Sequence, residues 1–211
     1  MNKDELRRLR EMVNRRHPKQ QFGYTYTSGT FSTEDEAKAE FLRRMGATDA
    51  FHVYDVDAGE VLGYLAHRMP GCLGVYAKVD YIVRPLRSAI DAGWTAGPFG
   101  VEVKQSGVKI APVTSQMTDY RRTVWRVKRT GEQLWLDQIF LWPSGRLKGD
   151  IESIFMQNRL GYASSSSSGG ITFLFGGCCP LRIEPDGGIV CRVSDVFLKA
   201  GRKSGNRGEK K

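Results

Sequence analysis

The sequence predicts a mixed α/β fold in which helices cover a central β-sheet. Helical periodicity comes first, because Ala37, Phe41, Leu42 and Met45 form one apolar stripe. Runs rich in β-branched and aromatic residues follow between about residues 51 and 104, and then come a second helical pattern and another strand. This order of helix, strands, helix and strand is typical of a sheet with helices packed against it.

Local signals define where these elements begin and end. Thr33 followed by Glu36 has the spacing of a capping box and predicts a helix that begins at about residue 33 and runs to about 45. Periodicity, caps and turn residues predict the remaining elements in the same way. These are helices over 4–16, about 114–128 and about 149–162, a hairpin over 51–67, strands over 74–84, 99–104 and 133–142, a connection over 85–98, and short strands between residues 171 and 193.

Length and composition predict one globular domain over residues 1–198 and a basic, disordered tail over 199–211. The chain has 211 residues, of which 40% are hydrophobic and 26% are charged. No apolar run approaches the length of about 18 residues that a membrane span needs. The N-terminus is charged throughout and has no apolar signal core. We therefore expect a cytoplasmic protein with no membrane partner.

The formal charge of +9 is concentrated at the two ends of the chain. Residues 1–19 carry +4 and residues 199–211 carry +5, which leaves the residues between them neutral. Basic arms of this kind neutralise the phosphates of nucleic acids, and DNA is the expected partner. The alternative is that the arms only keep the protein in solution.

The strand "FGVEVK" carries two charged residues on one face. Successive side chains of a strand point to opposite faces, so Glu102 and Lys104 project together, away from Phe99, Val101 and Val103. The simplest interpretation is an exposed ion pair on a solvated face. A second carboxylate makes another interpretation possible.

Asp80 lies in "KVDYIVRP", among β-branched residues that favour a strand and disfavour aspartate. It either pairs with Lys78 or Arg84 on its own strand, or lies next to Glu102 on a neighbouring strand. Two adjacent carboxylates repel unless a cation lies between them, and Mg²⁺ prefers oxygen ligands of this kind. Lys104 then offsets negative charge on a reacting phosphate. Gln116, early in the next helix, is either a surface residue or a hydrogen-bond partner of water or phosphate.

These residues resemble the PD-(D/E)xK nuclease superfamily, through Asp80, the run Glu102-Val103-Lys104, and Gln116. The resemblance implies a restriction-endonuclease-like core over about residues 33–142. Its mixed sheet is flanked by helices in αβββαβ order, and residues 143–198 form a C-terminal extension that adds strands. The chain departs from the pattern at Val79, where proline is usual, and in the long connection between Asp80 and Glu102.

The resemblance also implies roles for individual residues. Asp80, Glu102 and the Val103 carbonyl are the implied ligands of Mg²⁺, for which Mn²⁺ substitutes. Lys104 is the implied catalytic lysine, and Gln116 matches a helix glutamine of some exonuclease and resolvase branches. Many members use a glutamate of the first helix, for which we prefer Glu40; Glu36 and Glu60 are the alternatives.

The run "RRTVWRVKR" contains five basic residues and no acidic one. On the helix expected there, these residues would contact DNA phosphates; the alternative is an ordinary basic surface. They are Arg121, Arg122, Arg126, Lys128 and Arg129. Trp94, in the Gly-rich connection, either stacks on an unpaired base or fills an apolar gap.

The leading functional hypothesis is a Mg²⁺-dependent DNA endonuclease that hydrolyses phosphodiester bonds with metal-activated water. A junction resolvase or restriction-type enzyme of a phage or mobile element, possible as a homodimer, fits this description by analogy. One alternative is a non-catalytic nucleic-acid-binding phage or mobile-element protein that uses its basic terminal arms. Another is a structural or inhibitory phage protein that keeps only the nuclease-like core.

Overall fold

The computed structural model describes residues 31–65, 76–94, 97–105, 109–144, 147, 150–165, 169–175 and 178–191. The expected helix over 4–16, the N-terminal basic arm and the tail over 199–211 lie outside these residues. The described part of the chain forms four helices and twelve strands, which confirms the mixed α/β class.

The helices and strands are numbered in chain order. The helices are α1 (Glu34–Met45), α2 (Arg87–Asp91), α3 (Ile110–Tyr120) and α4 (Asp150–Gln157). The strands are β1 (Phe51–Asp55), β2 (Val61–Leu65), β3 (Tyr76–Ala77), β4 (Tyr81–Pro85), β5 (Phe99–Val103), β6 (Thr123–Val127), β7 (Gln133–Leu134), β8 (Gln138–Trp142), β9 (Leu160–Ser165), β10 (Ile171–Phe175), β11 (Cys178–Ile183) and β12 (Ile189–Cys191).

These strands form one large and one small sheet. The large sheet has the order β1-β4-β5-β8-β9-β10-β11-β12, and the small sheet has the order β3-β2-β6-β7. In the large sheet, β5 pairs with β8 and β8 pairs with β9 in parallel, whereas the other neighbours are antiparallel. Strands β9 to β12 therefore extend the same sheet that contains β4 and β5, as expected for C-terminal additions.

Each face of the large sheet buries its own apolar cluster. Helix α1 covers one face with Ala37, Phe41 and Met45. The small sheet, α3 and α4 cover the other face, through Val113, Met117, Trp125, Leu134 and Phe155. Burial of each large apolar side chain stabilises the fold by about 1.5–3 kcal/mol, so both layers are held firmly against the sheet.

The predicted start of α1 is confirmed in detail. The Thr33 hydroxyl accepts the Glu36 N–H at 3.2 Å, and the Glu36 carboxylate accepts the Thr33 N–H at 3.3 Å, which completes the capping box. The Trp142 indole donates to the Ala37 carbonyl at 3.0 Å and ties the helix to β8. The capping box fixes where α1 begins, and the bond from Trp142 fixes its first turns against the sheet.

The predicted hairpin over 51–67 is wrong, because β1 belongs to the large sheet and β2 belongs to the small sheet. The chain turns between them at Gly59, whose φ of +75° is a conformation that glycine adopts without strain. Glu60 accepts the Asp55 N–H at 2.8 Å, and Asp55 accepts the Ala58 N–H at 3.0 Å. These side-chain bonds and the backbone bond from the Gly59 N–H to the Val56 carbonyl at 2.9 Å hold the connection without pairing of β1 to β2.

The predicted helix over 114–128 is wrong at both ends. Helix α3 begins at Ile110, and the Thr114 hydroxyl, one turn inside the helix, donates to the Ile110 carbonyl at 2.9 Å. The helix ends at Tyr120, and residues 123–127 form β6 with Thr123 and Trp125 buried. The β-branched and aromatic residues of that run favour the strand over a longer helix.

The predicted strands over 74–84 and 133–142 each divide into two, and in both cases the chain crosses from the small sheet to the large one. The first gives β3 and β4, and the second gives β7 and β8. The last predicted helix ends at residue 157, and β9 occupies the rest of its range. Asp80 lies at the first crossing, immediately before β4, and the candidate site is built around it.

Candidate active site

The site lies where β4 and β5 separate. The two strands pair from Val83 opposite Phe99 to Tyr81 opposite Val101, and the next residues in this register are Asp80 and Glu102. There the Asp80 carboxylate, through Oδ2, accepts the Val103 N–H at 2.7 Å. A side chain thus replaces the strand partner of Val103, and the pair opens into a fork with Asp80 and Glu102 at its centre.

Glu102 is a buried carboxylate with one free oxygen. Only 1% of its surface is exposed, so the simple interpretation of a solvated strand face is wrong. Its Oε1 accepts a bond from Lys104 Nζ at 2.6 Å, whereas Oε2 has no hydrogen-bond partner among the described residues. A buried carboxylate oxygen without a partner is unfavourable unless something else binds it.

Helix α1 brings a second lysine and a further carboxylate to the fork. Lys38 Nζ lies 2.7 Å from Asp80 Oδ1 and 2.8 Å from Asp57 Oδ2. Glu34 lies between the two lysines, 3.5 Å from Lys38 Nζ and 3.5 Å from Lys104 Nζ. Asp80 therefore pairs with a residue of another element, and not with Lys78 or Arg84 as the alternative held. Arg84 pairs with Glu132 at 2.7 Å.

Gln116 reaches the site through a tyrosine. Its side-chain amide donates to the Tyr120 hydroxyl, which in turn donates its one proton to the Lys78 carbonyl. Tyr120 also lies beside Glu102, and it is almost fully buried at 3% exposure. Gln116 itself is exposed at the surface of α3. The Tyr120 side chain thus lies between Gln116 and the carboxylates.

Burial and charge shift the pKa values at the fork. Burial, aided by the Asp80 charge, raises the pKa of Glu102 from 4.5 to about 7, although the charge and hydrogen bond of Lys104 act in the opposite direction. Burial also raises the pKa of Asp80 despite its bonds to Lys38 and Val103. Burial tends to lower the pKa of Lys104, but Glu102 and the other carboxylates outweigh it, so the pKa is raised and the ammonium stays charged.

The cluster carries an excess of negative charge. Two lysines face the four carboxylates of Glu34, Asp57, Asp80 and Glu102, so that the formal charge is −2 when every group is ionised. One divalent cation would neutralise this excess. Within the described residues, no three His, Cys, Asp or Glu side chains form a metal cluster. The oxygen atoms that could hold a hard cation at the fork are those of Asp80 and Glu102, of which Glu102 Oε2 is free among the described residues.

The structure does not bring Glu40 to the fork. Arg43 and Arg44 bond its carboxylate at 2.7 and 2.6 Å. The bond from Arg43, with the bond from Arg44 and the charges of both arginines, lowers the pKa of Glu40 to about 2 although burial acts in the opposite direction. The alternatives Glu36 and Glu60 are used in the capping box and in the Asp55 turn. The carboxylate of α1 that lies beside Lys104 is Glu34.

Sequence reasoning overlooked Glu34 and Lys38, although a signal for them exists. The two residues stand four apart in the first turns of α1, where side chains share one face of a helix. They flank the apolar stripe that begins at Ala37 and so lie along the border between the buried and exposed sides. A charged pair at such a border, on the helix that precedes β4 and β5, is recognisable in the sequence.

The basic run lies on a strand and its turns rather than on a helix. Arg121 is half-buried and donates to the Asn158 carbonyl at 2.8 Å. The other four basic residues are exposed on or beside β6, namely Arg122, Arg126, Lys128 and Arg129. Trp94 is buried at 1% exposure, and its indole donates to the Gly97 carbonyl at 3.3 Å, so it fills an apolar gap.

Comparison of the chain with protein-family models, with curated proteins and with solved structures gives no match. Among the helices of the described residues, none is long and apolar enough to cross a membrane. Function is therefore inferred from the geometry of the fork itself.

Proposed function

We propose that this protein is a divalent-metal-dependent deoxyribonuclease whose active site is the fork between β4 and β5. The observation that carries the proposal is the free Oε2 of Glu102, a carboxylate only 1% exposed and opposite Asp80 in the strand register. Two buried carboxylates side by side are unfavourable without a cation. The negative excess of the cluster and its oxygen donors suit Mg²⁺ or Mn²⁺.

The order of the elements supports the nuclease interpretation. When α2 and the strands of the small sheet are set aside, the remaining elements α1, β1, β4, β5, α3 and β8 stand in the αβββαβ order that the PD-(D/E)xK resemblance implies. In the large sheet the four strands are adjacent as β1-β4-β5-β8, with β4 antiparallel to its neighbours and β5 parallel to β8. Strands β2 and β3 are then an insertion that begins the small sheet.

Each residue of the fork has a chemical role in this proposal. Asp80, Glu102 and the Val103 carbonyl hold the cation, which when bound acts as a Lewis acid and lowers the pKa of water. Lys104 places its ammonium beside Glu102 and offsets charge that develops on the phosphate oxygens. Tyr120, which accepts a bond from Gln116, lies beside Glu102 and lines the fork from the side of α3.

The finer proposal is a DNA endonuclease of the junction-resolvase or restriction type, active as a monomer or a homodimer. The exposed basic residues of β6 and its turns give it a surface for DNA phosphates. This part depends on the resemblance more than on the fork, and the choice of DNA substrate tests it separately.

Cleavage of supercoiled plasmid, linear duplex and a four-way junction tests the proposal, each with Mg²⁺, Mn²⁺ or EDTA. We expect metal-dependent cleavage that Lys104→Met reduces by about a thousandfold, the scale of losing one electrostatic stabiliser of the transition state. DNA binding measured by gel shift stays unchanged in that variant. Lys109→Met, an exposed lysine five positions away, is the matched control and retains activity.

Full cleavage by Lys104→Met contradicts the assignment of the site, and no cleavage of any DNA under any condition contradicts the activity itself. The second outcome favours a DNA-binding protein without catalysis. One observation supports that alternative: Lys38 and Lys104 themselves pair with Asp80 and Glu102 and neutralise part of their charge. Binding that falls steeply with salt and ignores EDTA is its signature.

A further inference from the structure

The Lys38 ammonium lies close to three carboxylates of the fork. Its Nζ bonds Asp80 Oδ1 at 2.7 Å and Asp57 Oδ2 at 2.8 Å, and it lies 3.5 Å from Glu34 Oε1. The side chain of Lys38 is 20% exposed, whereas that of Asp57 is 51% exposed. The ammonium therefore bridges an inner carboxylate and an outer one.

Both oxygens of the Asp80 carboxylate already have a hydrogen-bond or ion-pair partner. Asp80 Oδ2 accepts the backbone N–H of Val103, and Oδ1 accepts the ammonium of Lys38. Glu102 differs, since its Oε2 is free among the described residues. The Val103 N–H is fixed in the backbone, whereas the Lys38 ammonium can move, so Oδ1 is the Asp80 oxygen that a cation binding both carboxylates can take over.

We propose that Lys38 is a resident counter-ion of Asp80 that a divalent cation displaces, and that Asp57 retains the ammonium after displacement. This inference rests on the proposed metal-dependent function. Lys38 is a positioning residue in this scheme, because it acts through Asp80.

Electrostatics give the direction of the exchange. An ammonium and a divalent cation on one carboxylate oxygen repel each other strongly, and the repulsion falls as the flexible lysine chain swings outward. Asp57 already lies within bonding distance, so the movement keeps the lysine paired. Replacing the ammonium by a divalent cation raises the positive charge beside Asp80 from one to two. Replacing it by Na⁺ or K⁺ leaves that charge unchanged. Lys38 thus makes the fork selective for divalent cations.

The test measures metal binding without DNA, by titration calorimetry with Mg²⁺ and with Ca²⁺ at constant ionic strength and pH 8. Lys38→Met removes the competing ammonium, and we expect its Kd for both metals to fall by about fivefold to tenfold. Lys38→Gln, which keeps a hydrogen-bond donor to Asp80 without the charge, gives the same direction and replaces Lys38→Met if that variant does not fold.

Asp57→Asn removes the outer partner and holds Lys38 on Asp80, so the Kd rises by about threefold. Glu60→Gln, an equal change of charge in the same turn whose side chain bonds the Asp55 N–H, is the matched control and stays within about twofold. In the Lys38→Met background, Asp57→Asn no longer raises the Kd beyond the Glu60→Gln control. Loss of the Asp57 effect identifies the exchange, because a merely structural role would persist.

An unchanged or higher Kd in both lysine variants, with metal binding intact in the parent protein, overturns the inference and leaves the proposed nuclease site standing. An Asp57 effect of equal size in both backgrounds also overturns it. Absence of metal binding in the parent and in every variant overturns the inference together with the proposed metal-dependent function.

Discussion

The two ends of the β4–β5 pair differ in the side chains that they bury, which are aromatic at one end and charged at the other. At one end Val83 pairs regularly with Phe99, and the Phe99 ring touches four aromatic rings, those of Phe51, Trp94, Phe140 and Phe173. At the other end the regular pairing gives way to the Asp80 carboxylate, with Glu102 buried beside it. The strands and their partners are the same at both ends, and only the side chains differ.

This contrast separates stability from chemistry along a single pair of strands. Aromatic pairs and buried apolar area hold the strands together at the Phe99 end. At the fork, desolvation of two carboxylates works against folding and is offset only in part by Lys38 and Lys104. The aromatic end therefore stabilises a structure that the fork strains, and substitutions at the two ends have distinct consequences.

The largest expected effect comes from breaking the aromatic end. Phe99→Ala leaves a cavity among four rings and lowers the free energy of unfolding by about 3–5 kcal/mol, because Phe99 is only 1% exposed. Denaturation in urea, followed by tryptophan fluorescence, measures this change. A loss below about 1 kcal/mol would mean that the aromatic cluster does not carry the stability assigned to it.

The second effect sharpens the contrast through pH. Burial and Asp80 raise the pKa of Glu102 from 4.5 to about 7, so the folded protein holds that proton more tightly than the unfolded chain. Metal-free stability is then greatest below pH 4.5 for this group and falls as the pH rises to about 7, by up to about 3 kcal/mol. Urea denaturation in EDTA at several pH values measures the slope.

Glu102→Gln is the control for that slope. It removes the titrating group while keeping the shape, so the decline between pH 4.5 and 7 becomes shallower. Part of the decline remains, because burial raises the pKa of Asp80 as well. An identical slope in both proteins contradicts the role given to Glu102.

The third effect concerns the outer surface. If DNA binds as proposed, charge reversal of Arg126 and Lys128 together weakens its binding by about tenfold at moderate salt, because two attractive charges become repulsive to phosphate. Arg87→Glu, an 85% exposed arginine next to the aromatic end, leaves binding unchanged. Fluorescence anisotropy with a labelled duplex at two salt concentrations gives both values. Equal losses in the two variants would mean that DNA contact is spread over the whole surface.

The smallest effect comes from the cap of α1. Thr33→Ala removes the hydroxyl that accepts the Glu36 N–H and lowers stability by about 1 kcal/mol. The same helix carries Glu34 and Lys38 into the fork, so metal-dependent cleavage weakens slightly as well. Ser32→Ala removes a neighbouring hydroxyl that bonds Glu36 without capping the helix, and its effect is the smaller of the two.

Parts of this architecture are readable from the sequence because their signals are local. The capping box at Thr33 needs only residues three apart, and the adjacency of β4 and β5 follows from two strong strand patterns. The two strand patterns predicted that Asp80 lies close to Glu102 and Lys104, and β4 and β5 are indeed neighbours. What these residues do stays a prediction until the metal-dependent assays are made.

Other features depend on long-range contacts that periodicity does not contain. The 51–67 segment reads as a hairpin, yet tertiary pairing sends β1 to β4 and β2 to β6. Residues 121–127 contain both helical and strand spacings, and the buried alternation in β6 prevails. The sequence favoured Glu40 over Glu36 and Glu60 and overlooked Glu34, because the side of α1 that faces the fork depends on how the helix packs against β8.

The parallel pairing of β5 with β8 has a consequence for synthesis of the protein. Glu34 and Lys104 stand 70 residues apart in the chain. Strand β5 pairs with β4 on one side and with β8 on the other. A two-stranded segment is at best marginally stable alone, and long-range pairings form late. On the ribosome, the growing polypeptide therefore has no assembled fork until Trp142 has emerged. The nuclease activity that we propose is therefore absent from the growing chain until that point.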